Sequence, residues 1–267
     1  MTDLAIIIVS YNAREDLVRC LTSLHDDPPA ASHEIVVVDN DSNDGSAEAA
    51  RAWPDVRVLE AGSNRGFSAA NNVGIRATSS EFVLLLNSDT LAPHGAVDGL
   101  LAALRRHPEA AAAGPRLVDG EGRVELSFGR MISPATELRQ KRMQARHAAH
   151  PLGESCEVEA LARLESSPDW VSGACLLVRR PDAEAVGLLD ERYFMYTEDV
   201  DFCAALRAKG GQILFAPSVE VIHFRGRSAA GAPAATRAAY LRSHLAFYEK
   251  HHPLWAPMLR FYRHFLQ

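Results

Sequence analysis

The first ninety residues alternate between unbroken apolar runs and segments whose apolar residues recur at helical spacing. The apolar runs are LAIIIVS at 4–10, EIVVVD at 34–39 and FVLLLN at 82–87, and a strand is also predicted near VRVLE at 56–60. The helical patterns lie at 14–24, near 47–52 and at 69–77. Strands without polar alternation are usually covered on both faces, as in a parallel sheet flanked by helices. The pattern therefore predicts an α/β domain with a doubly wound, mostly parallel central sheet.

The remainder of the chain is less regular, but several elements can still be predicted. A helix is expected from Pro93 to about His107, and the Gly-Glu-Gly of 120–122 predicts a hairpin or tight turn. WVSGACLLVRR at 170–180 is predicted to be a strand, followed by a helix that Pro181 opens. Residues 134–168 are polar, basic and alanine-rich, which favours a mobile loop or a helical insert.

Polar segments follow the four N-terminal strands: SYNAR, DNDSNDGS, AGSNRGF and NSDT in chain order. In open α/β sheets, ligands bind outside the carboxyl ends of the strands, at a topological switch point. We therefore expect the four segments to converge on one edge of the sheet and to form a binding site there.

Asn87, Ser88 and Asp89 end the strand at 82–87 and carry the clearest metal-binding signal. Enzymes commonly hold Mg²⁺ or Mn²⁺ through one or two carboxylates, while substrate phosphates and water supply the other ligands. His223 ends another apolar run and is a candidate second ligand, because neutral imidazole binds Mn²⁺. The alternatives are an ordinary turn at 87–89 and a structural histidine.

Two further segments are candidates for nucleotide binding. Asp39 directly follows a buried strand, where its carboxylate could accept from a base or a ribose, whereas Asp44 is typical of a turn and helix cap. In the loop at 62–66, backbone N–H groups and Arg65 could meet a diphosphate at the start of a helix. A helix-capping loop would have much the same sequence.

The stretch YFMYTEDVDF at 193–202 places three acids directly behind large apolar side chains. Thr197 is a plausible helix N-cap, with Glu198, Asp199 and Asp201 in the first turn of a helix that runs to about Lys209. Acids in a first turn complement the helix dipole, which is the structural alternative. A carboxylate in a partly dry pocket can also take a proton from a bound hydroxyl. Asp199 is the candidate base, and Glu198 could orient acceptor or sugar hydroxyls.

Composition narrows the class of partner and the compartment. The formal charge of −6 and the pI near 6.0 argue against nucleic-acid binding. The four cysteines lack CxxC spacing and are expected to be reduced thiols. The N-terminal apolar run is a poor signal peptide, and no segment approaches the ~20 apolar residues of a membrane span. We expect a cytoplasmic protein, or one attached to the inner face of a membrane.

Taken together, the motifs resemble glycosyltransferase family 2, particularly its rhamnosyltransferase-like and galactofuranosyltransferase-like branch. They are IIIVSYN, VVVDNDSNDGS, GSNRGFSAANNVGI, LLLNSDT, WVSGACLLVRR, LLDERYFMYTEDVDFCAAL and IHFRGRS, which cover roughly residues 4 to 228. The resemblance implies a GT-A fold with a nucleotide-sugar-binding half at 1–92 and an acceptor half at 93–230, followed by a helical extension at 231–267. It also implies an inverting enzyme that uses a dTDP- or UDP-linked sugar and Mg²⁺ or Mn²⁺.

Site residues carry over from the matching motifs. The resemblance implies a donor site formed by Ser10, Tyr11, Asn12, Asp39, Asn64, Arg65, Gly66, Asn71, Asn87 and Ser88. Asp89 matches the retained carboxylate of the DxD motif, whose first Asp is replaced here by Asn87, so weaker metal affinity is expected. His223 matches the histidine that completes metal coordination, and Asp199 matches the base. Trp170, Gly173 and Glu198 fall where similar enzymes shape the sugar and acceptor site.

The branch favours a rhamnose-like sugar and a glycan or lipid-linked acceptor. Two alternatives are a sugar-1-phosphate nucleotidylyltransferase, which typically carries a Gly-rich basic loop where this chain has SYNARED, and a catalytically silent nucleotide-sugar-binding protein. The aromatic and basic segment at 240–267 predicts either an amphipathic helix in a membrane interface or a helix packed on the core or on a second subunit. The basic stretch 139–147 could add to a membrane face.

Overall fold

The structure is a computed structural model that describes residues 2–139, 142, 157–224 and 233–264. Its strands are β1 (Leu4–Ser10), β2 (His33–Asp39), β3 (Val56–Glu60), β4 (Phe82–Asn87), β5 (Thr90–Leu91), β6 (Ala110–Val118), β7 (Phe128–Gly129), β8 (Trp170–Val171), β9 (Cys175–Arg179) and β10 (Gln212–His223). Its helices are α1 (Arg14–Asp26), α2 (Ser46–Arg51), α3 (Gly66–Arg76), α4 (Ala96–Arg106), α5 (Glu157–Leu161), α6 (Arg180–Ala185), α7 (Glu198–Ala208), α8 (Pro233–His251) and α9 (Ala256–His264). Residues 134–139 are also helical.

The main sheet has eight strands in the order β3-β2-β1-β4-β9-β6-β10-β5. The first four are parallel, as are β6 and β10, whereas β9 runs antiparallel between β4 and β6. Alternate residues of β1 belong to two different buried clusters, Ala5 and Ile7 to one and Ile6 and Ile8 to the other. Both faces of the strand are therefore buried, which explains its unbroken apolar sequence.

The prediction of one continuous strand at 170–180 is wrong, because this segment forms two separate strands. Residues 170–171 form β8 and pair with β7 in a small second sheet, whereas 175–179 form β9 of the main sheet. Between them the Gly173 amide donates to the Asp199 carboxylate at 2.9 Å, so the chain leaves one sheet there before it enters the other. This break brings the strand connection beside the N-terminus of α7.

The C-terminal helix α8 packs on the core, as one of the sequence alternatives predicts. Its Phe247 and Tyr248 are 0% and 3% exposed. At its end, the Lys250 Nζ lies 2.8 Å and the His251 Nε2 2.6 Å from carboxylate oxygens of the buried Asp201 on α7. These contacts attach α8 to the helix that carries the candidate base. Residues 140, 141 and 143–147 of the basic stretch lie outside the described residues.

No helix in the described ranges combines the length and the hydropathy needed to cross a bilayer.

Candidate active site

The carboxyl ends of β1 and β2 form the predicted nucleoside side of the site. Ser10 and Asp39 are the last residues of these parallel strands and pair directly in register. Both are buried, yet Ser10 Oγ and Asp39 Oδ1 have no hydrogen-bond partner among the described residues. Tyr11 follows at 40% exposure, and the Asn12 side chain accepts the Asn43 amide at 2.8 Å. The arrangement offers unsatisfied polar atoms next to an exposed aromatic ring.

Asp44 has the structural role that its sequence context suggests. Its carboxylate accepts the backbone N–H groups of Arg14 and Ser46 at 2.8 and 3.0 Å. It thus fixes the turns that lead into α1 and α2.

Asn40, which the sequence reasoning did not single out, connects the second loop to the third. Its side-chain amide donates to Asn64 Oδ1 at 3.0 Å, and its side-chain oxygen accepts the Arg65 N–H at 2.9 Å. Asn64 Oδ1 also accepts the Gly66 N–H at 3.1 Å. These bonds hold the predicted diphosphate loop against the end of β2 and leave the Arg65 side chain exposed.

Gly66 is required by the close approach of the aromatic segment. Its φ is +80°, and a Cβ there would lie 2.3 Å from the Phe194 carbonyl oxygen, which accepts the Phe67 N–H at 2.7 Å. The predicted donor loop therefore packs directly on YFMY. Asn71, on the same helix, donates its side-chain amide to the Phe67 carbonyl at 3.0 Å. Its contact with a donor stays a prediction.

Asp89 and His223, the two predicted metal ligands, are neighbours. The short strand β5 begins at Thr90 and pairs antiparallel with the end of β10, where His223 lies opposite Thr90. The Phe224 N–H donates to the Asp89 carbonyl at 2.8 Å and closes this corner. As a result the His223 Nε2 lies 3.3 Å from Asp89 Oδ1, and both side chains are buried.

Glu125 is a third residue in contact with this pair, and the sequence reasoning missed Glu125. Its Oε2 lies 3.1 Å from the His223 Nδ1, on the opposite side of the ring from Asp89. Burial lowers the pKa of His223, but the two carboxylates outweigh burial and raise it to about 9. A carboxylate at one ring nitrogen is the usual way to orient a metal-binding histidine through the other nitrogen. The signal in the sequence is an acid between Val124 and Leu126, both of which are core residues.

Asp199 lies near Asn87, the last residue of β4, because the consecutive residues Gly173 and Ala174 connect the two through hydrogen bonds. The Gly173 N–H donates to Asp199 Oδ2 at 2.9 Å, and the Ala174 carbonyl accepts the Asn87 N–H at 2.9 Å. The Val200 N–H donates to the other Asp199 oxygen at 2.8 Å. The structure therefore brings the predicted base, Gly173 and the 87–89 segment together, and Ser88 lies buried within that segment.

The turn before α7 differs from the expected N-cap. Thr197 takes the predicted position, but its φ is +65° and its hydroxyl makes no capping bond within the described residues. Tyr196 also has a positive φ, of 71°. Two successive non-glycine residues in this conformation are unfavourable, and such strain concentrates at functional sites. Thr197 is therefore the N-cap residue by position, as predicted, but its side chain does not cap the helix.

Glu198 and Trp170 lie on the predicted acceptor side. Burial, followed by the neighbouring Asp199 charge, raises the pKa of the Glu198 carboxyl well above its usual range. Burial therefore disfavours the charged form of this carboxyl, and its contact with an acceptor or sugar hydroxyl stays a prediction. Trp170 is 8% exposed, and its indole N–H donates to the Arg130 carbonyl at 2.9 Å. Its side chain belongs to the main hydrophobic core, and its contact with a sugar stays a prediction.

The oxygen and nitrogen atoms near Asp89 fit a divalent cation shared with a substrate. Asp89 and His223, the latter after losing its proton, would supply two ligand atoms, and the buried Asn87 Oδ1 has no partner in the described part of the chain. Within that part, no cluster of three His, Cys, Asp or Glu side chains could hold a metal alone. Protein ligands of this number suit Mg²⁺ or Mn²⁺ when phosphate oxygens complete the shell.

The fold and the location of this site define the class of protein. Solved structures with the same fold are a mannosyltransferase from Pyrobaculum calidifontis in complex with GDP-Man and Mn²⁺ and GalNAc-T7 with UDP, GalNAc and Mn²⁺. The first has a TM-score of 0.65 at 20% identity over 97% of this chain and 70% of its own. The second has a TM-score of 0.61 at 18% identity over 84% of this chain and 43% of its own. The chain has the GT-A fold, as the sequence predicts.

Sequence comparisons identify the family. The model of the family described as "Glycosyl transferase family 2" matches residues 5–161. The N-acetylglucosaminyl-diphospho-decaprenol L-rhamnosyltransferase of Mycobacterium tuberculosis is 34% identical over 96% of this chain and 87% of its own length. The low-salt glycan biosynthesis hexosyltransferase Agl10 of Haloferax volcanii is 26% identical over 84% and 67%. The chain belongs to glycosyltransferase family 2 and is a glycosyltransferase, which confirms the predicted enzyme class over both alternatives.

Proposed function

We propose that this enzyme transfers a rhamnose-like sugar, with inversion, from a dTDP- or UDP-linked donor to a hydroxyl of a glycan or lipid-linked acceptor, assisted by Mg²⁺ or Mn²⁺. The observation that supports the proposal most is the buried Asp89–His223 pair, together with the hydrogen bonds through which Gly173 and Ala174 connect Asp199 to the Asn87 strand end. The sugar and the acceptor are proposed from the rhamnosyltransferase relative, which is named for a diphospho-decaprenol acceptor.

The donor would lie across the carboxyl ends of β1, β2 and β4. Ser10 and Asp39 would receive the nucleoside, since their unsatisfied oxygens can accept from or donate to it. Asn64, Arg65 and Gly66 would follow the diphosphate. Asp89 and His223 would hold the cation, with Glu125 orienting the His223 ring. When bound, the cation would neutralise charge that develops on the leaving diphosphate.

The chemical step is a single displacement. An Asp199 oxygen takes the proton of the acceptor hydroxyl while that oxygen forms a bond to the anomeric carbon. The bond between the anomeric carbon and the diphosphate breaks, and its electron pair leaves with the nucleoside diphosphate. The backbone N–H groups of Gly173 and Val200 donate to the two Asp199 oxygens and so fix the orientation of the carboxylate. Attack opposite the leaving group inverts the configuration.

The test is a donor and acceptor screen with the purified chain. A thermal-shift series of dTDP, UDP, GDP and their sugars, with and without Mn²⁺, identifies the donor because binding to the native state raises the melting temperature. The selected donor is then incubated with a short-chain polyprenyl diphosphate carrying N-acetylglucosamine, and the product is examined by NMR. We expect a new glycosidic bond of inverted configuration. Retained configuration would overturn the mechanism, and a preference for GDP-mannose would overturn the donor assignment.

A further inference from the structure

Helix α9 and the turn before it expose a group of large apolar side chains. Leu254, Trp255 and Met258 are 93%, 46% and 56% exposed, and Phe261, one turn further along, is 66% exposed. The opposite side of α9 packs inward through Ala256, which is 5% exposed, and Leu259, which contacts the main core. The helix therefore has one apolar side that packs inward and a second group of large apolar side chains that is largely exposed. We call Leu254, Trp255, Met258 and Phe261 the α9 face.

From this geometry we propose that the α9 face docks onto the surface of an anionic lipid bilayer. Tryptophan and other large apolar side chains on a short amphipathic helix are favoured at the boundary between headgroups and acyl chains. The helix would lie in the plane of that boundary and would not cross it.

Charge supports a lipid surface as the partner. The two C-terminal helices, residues 233–264, contain five Arg or Lys residues and one acid, Glu249, although the whole chain has a formal charge of −6. Basic residues near a membrane surface attract anionic lipids. Arg260, within α9, donates to Glu249 on α8 and so connects the two helices. The cationic part of an acidic chain thus coincides with its exposed apolar helix.

The size of the α9 face argues against a second copy of the chain as the occupant. The four side chains expose on the order of 500 Å² if each large side chain is taken at about 200 Å². A stable protein interface buries roughly 800 Å² on each partner, so this face alone is small for a dimer. A bilayer has no such minimum, because each inserted side chain contributes independently to partitioning.

The attachment of α8 to α7 suggests how docking of α9 would serve the active site. Lys250 and His251 bind Asp201, two positions after Asp199, and the Tyr240 ring lies 5.8 Å from the ring of Tyr196, just before α7. Helix α9 is thus tied through α8 to the acceptor side of the site. This role of docking rests on the proposed function, since a lipid-linked acceptor would be presented at the same surface. The docking itself does not depend on it.

The experiment is vesicle co-sedimentation of the full chain, without donor or acceptor. Vesicles are neutral phosphatidylcholine or the same lipid with anionic phosphatidylglycerol. We expect binding to the anionic vesicles and a blue shift of tryptophan fluorescence. Leu254→Ser with Met258→Ser should lower the partition coefficient about tenfold or more, because two exposed apolar side chains are lost. The matched control, Leu161→Ser with Leu164→Ser, alters residues of 41% and 65% exposure elsewhere and should bind normally.

Three other outcomes of these measurements would contradict the proposal. Unchanged binding of the α9 variant, or no binding by the wild type, would overturn the proposal. A concentration-dependent dimer in light scattering that the α9 variant abolishes would assign the face to a second copy instead. Equal melting temperatures of the variants and the wild type exclude misfolding as the cause. The experiment measures vesicle binding and no turnover. Its result can therefore be interpreted even if the proposed transferase activity is not found.

Discussion

Helix α7 has acids on two sides, and their surroundings differ. The described part of the chain contains eight buried side-chain polar atoms without a hydrogen-bond partner, and five belong to Ser10, Asp39, Asn87, Thr197 and Glu198. All five residues lie at strand ends or at the start of α7, where Asp199 is also located. Buried polar groups are normally satisfied, so an accumulation of exceptions indicates atoms that await a ligand.

Asp201, two positions after Asp199, is in the opposite situation. It is 2% exposed, and its carboxylate is bound by the Tyr193 hydroxyl at 3.2 Å, by Lys250 and by His251. Every one of these partners is part of the protein. The acids of the opening turn thus differ in their surroundings: Asp201 attaches α8, whereas Asp199 is the proposed base, and the dipole argument alone could not distinguish them. The following predictions separate the two roles.

The largest effect is expected from Asp199→Asn. Loss of a general base should lower kcat by about 10²–10⁴-fold, while donor affinity and melting temperature stay near the wild-type values. The comparison variant is Asp201→Asn, which should reduce the melting temperature and leave kcat within about tenfold at temperatures below unfolding. The measurements are steady-state kinetics and thermal melts of both. Turnover by Asp199→Asn close to that of the wild type would remove the base assignment.

Next comes the metal pair. Asp89→Asn should weaken the Mn²⁺-dependent part of nucleotide binding by at least about 100-fold, since loss of an orienting partner alone commonly costs 10–100-fold. Glu125→Gln, which alters the orienting partner of His223, should give the smaller loss. Calorimetric titration of nucleoside diphosphate with and without Mn²⁺ measures both, and Asp55→Asn is an exposed control. Equal Mn²⁺ dependence in Asp89→Asn and the control would contradict the site.

Lys250→Met tests the assembly side. It removes a partner of the buried Asp201, and we expect the free energy of unfolding to fall by about 2 kcal/mol, because His251 still pairs with the carboxylate. Chemical denaturation measures the change. Lys209→Met makes the same substitution at an exposed position and should be nearly neutral. If both variants unfold alike, the attachment of α8 does not depend on this ion pair.

The smallest effect concerns the pH dependence of stability. Because the folded pKa of Glu198 is raised above the unfolded value of 4.5, the native state holds the proton more tightly. Wild-type stability should therefore fall relative to Glu198→Gln as pH rises above 4.5 toward the folded pKa, and the difference should then level off. Melting temperatures across pH measure this, with exposed Glu81→Gln as the control. Parallel curves of melting temperature against pH for the wild type and Glu198→Gln would show that burial does not raise the pKa of Glu198.

The sequence predicts those elements whose burial is symmetrical. The bounds of β1 and β4 agree with the apolar runs at 4–10 and 82–87, because each run is uniform and ends at polar residues. The strand predicted near 56–60 is also present as β3, although it is only partly buried. The antiparallel insertion of β9 could not be predicted, since nothing in a short apolar run specifies its neighbours or its direction.

The site also has residues that local sequence patterns predict and residues that they do not. Asp89, His223 and Asp199 end strands or begin a helix, so their shared edge follows from the topology of the sheet. Glu125 and the attachment of Lys250 to Asp201 depend on contacts between residues 98 and 49 positions apart, which local patterns do not encode. The positive φ of Thr197 and the missing capping bond of its hydroxyl are likewise not encoded in the local sequence pattern.

The central claim is that one cation site and one base share a cavity. Crystals grown with dTDP and Mn²⁺ and measured at the manganese absorption edge test this directly. We predict one anomalous peak within coordination distance of Asp89 and the His223 Nε2, touching diphosphate oxygens, with the Asp199 carboxylate facing the same cavity. A nucleotide-bound manganese peak away from Asp89 and His223, or an Asp199 carboxylate directed away from the bound diphosphate, would contradict the account.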